Sequence, residues 1–203
     1  MDKQKKKRQS ACEMLPPGYE LYEVIDFSKD PKLQKRIAVC GLAITAAMIA
    51  AALPGHSLKA AVSMLPVQIV VAVLAMLVGM LVYLLLHEGV HGMCIKYFTG
   101  VPAQYGFGLK AGLAYAGSRF FFTKTAYIII ALAPVAVWGL VLTLLLRDVP
   151  EQYWWYLYGI QILNVSGAVG DLFVTYRICT MPKDVLVFDE GANMKFFAPT
   201  HFD

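Results

Sequence analysis

Residues 67–91 have the sequence VQIVVAVLAMLVGMLVYLLLHEGVH, and the prediction of the fold starts from this stretch. Its first part, up to Leu86, is uncharged and almost wholly aliphatic, as a membrane-spanning helix is. The run then ends in a His-Glu-x-x-His motif at residues 87–91. Histidines at positions i and i+4 lie on one helix face, so both imidazoles can reach a single metal ion. The stretch therefore predicts an apolar helix that ends in a metal-binding turn.

The composition of the whole chain is that of a polytopic membrane protein. Of its 203 residues, 58% are hydrophobic and only 16% are charged. The mean hydropathy is +0.57. A soluble domain carries about a quarter charged residues. We predict an all-α polytopic membrane protein with about four transmembrane helices and short β-hairpin-like segments on the cytoplasmic side.

Four apolar segments account for the predicted transmembrane helices. They are residues 37–53, 62–98, 126–146 and 153–176. The second segment is too long for one perpendicular span, so its helix tilts or projects beyond the hydrocarbon. Pro134 predicts a kink in the third helix. The glycine- and aromatic-rich segment 99–124 predicts short strands or a re-entrant loop.

The charges divide the chain into three predicted parts and set their orientation. Residues 1–35 form a polar cytoplasmic segment, residues 36–180 a membrane-embedded metallopeptidase-like domain, and residues 181–203 a cytoplasmic tail with a hairpin. Basic residues at 3–8, along 96–124 and at 177–183 favour the cytoplasmic side, so both termini are expected there. The motif then lies near the cytoplasmic edge of the lipid bilayer. No recognition motif accompanies the basic residues, so nucleic acid is not an expected partner.

A zinc site needs a third protein ligand beside His87 and His91. In the apolar parts of the four spans, the acid other than Glu88 is Asp171. Small residues surround Asp171, and they let helices approach closely enough for a carboxylate to reach a neighbour's metal. Asn164 precedes Asp171 by seven residues on the same expected helix face. Its amide would hold a substrate carbonyl or the oxyanion, or else an interhelical hydrogen bond.

Other candidate ligands fit the motif less well. Cys94 shares a helix face with the two histidines, but lies about 10 Å from His87 along the axis, so a small buried cysteine is the alternative reading. His56 and His201 fall in predicted loops, with His56 on the opposite side of the membrane. The four cysteines show no pairing pattern.

The motif predicts hydrolysis by metal-activated water. Glu88 would accept a proton from that water as it attacks a carbonyl carbon, and would then return the proton to the leaving amine. One Zn²⁺ ion is the expected cofactor, with a membrane-associated protein or peptide as substrate. The segment 104–117 would either capture an extended substrate by strand addition or form a structural hairpin.

These residues resemble a bacterial membrane-protein family described as zincin peptidases, a domain of unknown function. The resemblance covers roughly residues 15–190 and rests on the segments HEGVHG at 87–92, GFG at 106–108, AYA at 114–116, Ala133-Pro134 and NVSGAVGD at 164–171. The layout is more distantly similar to site-2 proteases, which pair His-Glu-x-x-His with an aspartate in a later span. That similarity implies metal ligation by His87, His91 and Asp171, with Glu88 as base.

The chain departs from the site-2 pattern around its aspartate. The usual Asn-x-x-Pro stretch leading to Leu-Asp-Gly is here Asn164 to Leu172, with neither the proline nor the final glycine. This departure bears on the role of Asn164 more than on that of Asp171. The resemblance also implies a multi-pass location in a bacterial cell membrane.

Three functions compete on the sequence. The leading one is a zinc-dependent membrane endopeptidase with Glu88 as general base. The alternative is a non-catalytic metal-binding membrane protein, a sensor or assembly factor, in which the histidines matter and Glu88 does not. A metal transporter would need ionisable residues through several spans, whereas the sequence has one cluster.

Overall fold

Helices make up most of the protein in the computed structural model, which describes residues 10–108, 113–191 and 193–200. They are α1 (Pro31–Ala52), α2 (Leu58–Val62), α3 (Pro66–Thr99), α4 (Lys124–Asp148), α5 (Glu151–Gly167) and α6 (Val169–Thr180). Within the described residues, four helical stretches are long and apolar enough to cross a membrane: Pro31–Ala52, Pro66–Thr99, Lys124–Asp148 and Glu151–Thr180. The basic run at 3–8, the hairpin residues 109–112 and His201 lie outside the described residues.

Two helices begin where the local sequence predicts. Asp30 caps α1, since its Oδ1 accepts the backbone N–H groups of Lys32 at 2.9 Å and Leu33 at 3.0 Å. Pro66 is the first residue of α3, a position at which proline is tolerated. With 34 residues, α3 is roughly 50 Å long, well beyond the ~30 Å thickness of a bilayer's hydrocarbon core.

The fourth predicted span is not one continuous helix. Helix α5 ends at Gly167 and α6 begins at Val169, with Ala168 between them. The Ser166 hydroxyl donates to the Ile162 carbonyl at 2.8 Å, a bond that bends helices, and the adjacent glycine weakens the turn. The predicted fourth span over 153–176 thus lies within a helical stretch that is long and apolar enough to cross a membrane, Glu151–Thr180, but the interruption at Ala168 was not predicted. As a result Asp171 lies in the first turn of α6, where a negative charge is favoured.

The strands form two antiparallel sheets. They are β1 (Ala11–Cys12), β2 (Tyr19–Asp26), β3 (Gln104–Gly108), β4 (Leu113–Gly117), β5 (Phe121–Thr123), β6 (Leu186–Asp189) and β7 (Asn193–Pro199). A five-stranded sheet has the order β1-β5-β6-β7-β2, and β3 pairs with β4 separately. The hairpins at 104–117 and in the C-terminal tail were predicted, but the joining of the tail to β2 and β5 was not.

A tight turn joins β6 to β7. Asp189 Oδ1 accepts the N–H of Gly191 at 2.7 Å, and Gly191 has a φ of 90°. This left-handed backbone favours glycine, as the Asp-Glu-Gly turn signal indicates. The register that follows pairs Leu186 with Phe197 and Asp189 with Met194.

The chain divides into two compact units. The sheet unit comprises Met1–Lys35, Glu88–Ala133 and Asp171–Asp203, and the helical unit comprises Arg36–His87 and Pro134–Gly170. The core of the sheet unit includes fully buried Ile95, Phe122, Ile178, Val187 and Phe196.

Two glycines make room for side chains of the facing helix where α3 packs on α5. A Cβ on Gly79 of α3 would lie 2.7 Å from Ile160 Cδ1, and one on Gly159 of α5 would lie 3.0 Å from Met76 Sδ. The two glycines therefore let α3 and α5 pack more closely than larger residues would allow.

Candidate metal centre

One turn of α3 carries the histidines and glutamate of the motif. The potential ligand atoms of His87, Glu88 and His91 all lie within 4.8 Å of one another. Both histidines are buried, and Glu88 is half-buried. Among the described residues, these three side chains form the cluster of His, Cys, Asp or Glu groups that could hold a metal ion. Cys94 does not belong to this cluster. The i, i+4 spacing on one helix face thus brings the ligand atoms together as the sequence predicts.

His87 is oriented by a hydrogen-bonded chain within the helical unit. The Tyr83 hydroxyl lies 2.8 Å from His87 Nδ1 and 2.9 Å from Asn164 Oδ1. A carbonyl oxygen of an amide only accepts hydrogen bonds, so the single hydroxyl proton of Tyr83 is donated to Asn164. The hydroxyl oxygen then accepts from Nδ1–H of His87. In this tautomer Nε2 is the ring nitrogen that carries the lone pair with which an imidazole binds a metal.

Two backbone carbonyls fix the orientation of the Asn164 amide. Asn164 is fully buried, and its Nδ2 donates to the Val135 carbonyl at 3.3 Å and to Gln161 Oε1 at 3.4 Å. Gln161 Nε2 in turn donates to the Gly139 carbonyl at 3.4 Å. Since backbone carbonyls only accept, neither amide can be reversed without losing a hydrogen bond. The Asn164 oxygen therefore faces the Tyr83 hydroxyl.

His91 is oriented by the main chain within the sheet unit. Its Nδ1 lies 2.9 Å from the carbonyl oxygen of Ile130, a residue of α4 that is 2% exposed. Because this acceptor is a carbonyl, Nδ1 of His91 carries a proton, and Nε2 is the ring nitrogen that faces away from Ile130. That Nε2 lies 3.7 Å from Asp171 Oδ2. The sheet unit therefore brings together His91 and Asp171, which the sequence proposed as co-ligands.

A second buried acid lies in the sheet unit. Asp189 Oδ2 accepts from the Tyr127 hydroxyl at 2.5 Å, and both residues are buried. Burial raises the pKa of Asp189 to about 6. The hydrogen bonds from Tyr127 and Gly191 and the charge of His91 lower this pKa, whereas the carboxylate of Asp171 raises it. Asp189 is thus a buried acid whose pKa lies near physiological pH.

Comparison with known proteins agrees with this geometry. A family model described as "Putative zincin peptidase" matches residues 80–186, more than half of the chain. The chain belongs to this family. An "Uncharacterized 24.7 kDa protein in gap 5'region" of Pyrococcus woesei is 30% identical over 119 residues, which are 57% of this chain and 51% of that protein. The chain thus spans about half the length of this curated relative, and no solved structure matches it.

The zincin family implies zinc, and the residues present fit that ion. Imidazole nitrogens and carboxylate oxygens, the donor types of the His87, Glu88 and His91 group, are ones that catalytic zinc sites use. With bonds of about 2.0–2.2 Å, tetrahedral ligand atoms lie roughly 3.4 Å apart. The 3.7 Å between His91 Nε2 and Asp171 Oδ2 is close to that separation. The family match and the His-Glu-His group together indicate a metallopeptidase.

Sequence reasoning missed the residues that orient the two histidines. Tyr83, Ile130 and Gln161 all fall within the 80–186 zincin match. Tyr83 precedes His87 by one helical turn, and a tyrosine at i−4 from a proposed ligand is a signal that could have been read. The carbonyl of Ile130 has no side-chain signal of its own, so the contact with His91 required the tertiary structure.

His56 has a different role. Its Nδ1 lies 3.1 Å from Glu151 Oε2, and its ring stacks on Trp154 with the centroids 3.5 Å apart. Both contacts belong to the helical unit. They account for His56 without a metal.

Proposed function

We propose that this protein is a zinc-dependent membrane endopeptidase that cuts peptide bonds near the cytoplasmic edge of the bilayer. The observation that carries the proposal is the hydrogen bonding of the two motif histidines. Each has Nδ1 engaged by a protein acceptor, and His91 Nε2 lies beside Asp171. Imidazoles held in this tautomer are prepared to bind a metal through Nε2.

We assign His87, His91 and Asp171 as the residues that would hold one Zn²⁺. Zinc, when bound, would supply the Lewis acidity that lowers the pKa of a water molecule from about 15.7 towards about 7. Three protein ligands are what hydrolytic zinc sites use, since a fourth position is left for water. Glu88 is not one of the three proposed ligands and would act as a base instead.

Glu88 is the proposed general base. It is half-buried on the same helical turn as the two histidines, so its carboxylate is within reach of a water molecule at the site. It would accept the proton of the attacking water and return it to the amine that leaves from the cleaved peptide bond. A glutamine in its place keeps the size but has no basic carboxylate.

Asn164 is proposed to act through Tyr83. Its amide oxygen is used by the Tyr83 hydroxyl, and its amide nitrogen by Val135 and Gln161. An amide with these partners has no spare donor for an oxyanion. We therefore propose that Asn164 positions His87. Of the two roles that the sequence leaves open for Asn164, contact with substrate and an interhelical hydrogen bond, its hydrogen bonds support the second.

The hairpin β3–β4 is the proposed place of substrate capture. In the part of the chain that the structure describes, each of its strands pairs only with the other, so each has one edge without a strand partner. An extended peptide from a membrane-associated protein would add to such an edge through backbone hydrogen bonds.

Glu88→Gln separates catalysis from metal binding. In detergent-purified protein the variant should retain zinc at the wild-type level, measured by metal analysis, because no ligand is changed. Peptide N-termini that appear when wild type is produced should disappear from the membrane fraction with the variant, as detected by N-terminal labelling and mass spectrometry. Glu20→Gln, at an exposed position of β2, is the matched control and should cleave normally.

The same measurement tests the ligand set and the alternative function. Asp171→Asn should lower the zinc content, and full occupancy would instead favour a ligand such as Glu88 or Cys94. Wild-type protein without zinc would refute the zinc site. Cleavage that persists in Glu88→Gln, or no cleavage product of a zinc-loaded wild type, would favour the non-catalytic sensor or assembly factor.

A further inference from the structure

Pro134 lies in the interior of α4, four residues after Ile130. In an α-helix the carbonyl of residue i accepts the N–H of residue i+4. Proline has no N–H, so the carbonyl of Ile130 loses its usual helical donor. Both Ile130 and Pro134 are almost fully buried, so water is a poor substitute for that donor.

The missing donor is supplied by His91. The Nδ1 atom of His91 lies 2.9 Å from the Ile130 oxygen, a normal hydrogen-bond distance. This bond satisfies a buried carbonyl and at the same time places the proton of the imidazole on Nδ1. The Ile130 carbonyl oxygen thus lacks its helical donor because of Pro134, and the same oxygen accepts the hydrogen bond from His91.

We propose that Pro134 is a positioning residue for His91. By lacking an amide proton, it reserves the Ile130 carbonyl as the acceptor that holds the Nδ1–H group of His91 and so keeps Nε2 on the side of Asp171, where the proposed metal would bind. The consequence for metal binding rests on the proposed function, since it requires His91 to be a ligand. The effect on the tautomer does not depend on a metal.

An ordinary residue at position 134 would compete with His91. Its N–H would donate to the Ile130 carbonyl along the helix axis, as in a regular α-helix. His91 would then share the acceptor or lose it. The imidazole would distribute its proton between Nδ1 and Nε2, and the fraction of molecules ready to bind a metal would fall.

Pro134→Ala tests the proposal through the imidazole itself. Nitrogen NMR of histidine-labelled, metal-free protein in detergent, with His91 assigned from a His91→Gln sample, reports which ring nitrogen is protonated. Wild type should show His91 Nδ1 fully protonated whatever the state of Nε2, and Pro134→Ala should show a fraction of molecules in which Nδ1 has lost its proton. An unchanged tautomer in Pro134→Ala would overturn the proposal whether or not the protein binds zinc.

Metal affinity and unfolding temperature give the second readout. Zinc affinity, measured by competition with a chelator, should fall about 10–100-fold in Pro134→Ala, as for other residues that orient a ligand. The unfolding temperature of the metal-free variant should stay equal or rise, because alanine restores a helical hydrogen bond. A proline with a purely structural role would leave zinc affinity unmoved or lower it together with the unfolding temperature.

Two further variants calibrate the result. Tyr83→Phe removes the acceptor of His87 and should lower zinc affinity by a similar factor. Pro66→Ala, at the first position of α3 where no helical hydrogen bond is at stake, should change nothing. If wild type binds zinc and Pro134→Ala binds it equally well, the role of Pro134 in metal binding is refuted and the proposed function stands. If wild type binds no zinc, the proposed function fails. The NMR measurement on His91 then remains as the test of whether Pro134 positions that histidine.

Discussion

The two motif histidines are oriented by acceptors of different kinds. His87 donates to a tyrosine hydroxyl, whose own direction depends on the buried Asn164 amide. His91 donates to a main-chain carbonyl, which no substitution at Ile130 removes. The first arrangement is sensitive to side-chain replacement, while the second is sensitive to the backbone of α4. The orientation of the two histidines therefore depends on residues well separated from the motif in sequence, such as Asn164 and Ile130.

The pKa of Asp189 predicts how acid affects stability. The folded-state pKa of about 6 exceeds the ordinary 3.8, so the folded protein binds a proton between these values that the unfolded chain does not. The free energy of unfolding consequently falls as the pH rises through that interval, because burying the ionised Asp189 carboxylate destabilises the folded protein. This destabilisation is fully present above about pH 6 and absent below the ordinary value of 3.8.

The test compares wild type with Asp189→Asn, which has no titrating group at this position. On going from pH 7.5 to pH 5, the free energy of unfolding of wild type should rise relative to the variant by on the order of 1 kcal/mol. Denaturant unfolding in detergent at several pH values measures it, with the surface variant Asp184→Asn as control. A constant difference between wild type and Asp189→Asn would contradict the raised pKa.

At the scale of elements, the site depends on where helices begin, kink and approach each other. The break at Ala168 puts Asp171 at the N-terminus of α6, and the proline of α4 leaves a carbonyl for His91. Within the helical unit, Gly79 lets α3 approach α5, the helix that carries Asn164. The contact between Tyr83 and Asn164 requires that approach.

Gly79→Val should destabilise the helical unit. The valine Cβ would lie 2.7 Å from Ile160 Cδ1, so the two helices would have to separate or a side chain would leave its rotamer. Such overpacking costs about 1–3 kcal/mol. The matched control is Gly89→Val in the same helix, because nothing lies within 4 Å of a Cβ at Gly89. Unfolding of the zinc-free proteins in detergent should distinguish the two, and equal stability would contradict the close packing of α3 on α5.

For the molecule as a whole, the number of helical spans predicts how often the chain crosses the membrane, and the basic residues predict which loops face the cytoplasm. The described residues include four helical stretches that can cross a membrane. With an even number of spans and basic residues favouring the cytoplasm, the loops near Gly55 and Val149 should face outward. The segment near Ala103 and the tail after Lys183 should face the cytoplasm.

Reporter fusions test this orientation. Alkaline phosphatase joined after Gly55 or Val149 should be active, because it folds only after export. Fusions after Ala103 or Lys183 should have inactive phosphatase and fluorescent green fluorescent protein. The opposite pattern would place the metal centre at the outer membrane edge, and phosphatase activity at all four positions would refute the spans.

Local sequence was sufficient for the features that depend on neighbouring residues. The apolar runs predicted the helices, Asp30 and Pro66 marked two helix starts, and Gly191 marked the turn of the C-terminal hairpin. The geometry of the motif also followed from its spacing, because an i, i+4 pair shares a face on any α-helix. The break at Ala168 was missed since the apolar composition continues across it, even though Ser166 and Gly167 are helix-weakening residues.

Composition and spacing within one element were enough to predict the helical segments and the turn that carries the motif. Asp171 was chosen as the completing acid because it is the other acid in the apolar spans, and that choice stays a prediction. The folded structure was needed to show that β2 and β5 join the C-terminal hairpin, that Tyr83 meets Asn164, and that the Ile130 carbonyl meets His91. Strand partners and hydrogen bonds between distant helices depend on packing across long stretches of chain. A backbone carbonyl is present at every residue, so no residue pattern singles out the one that a proline leaves unpaired.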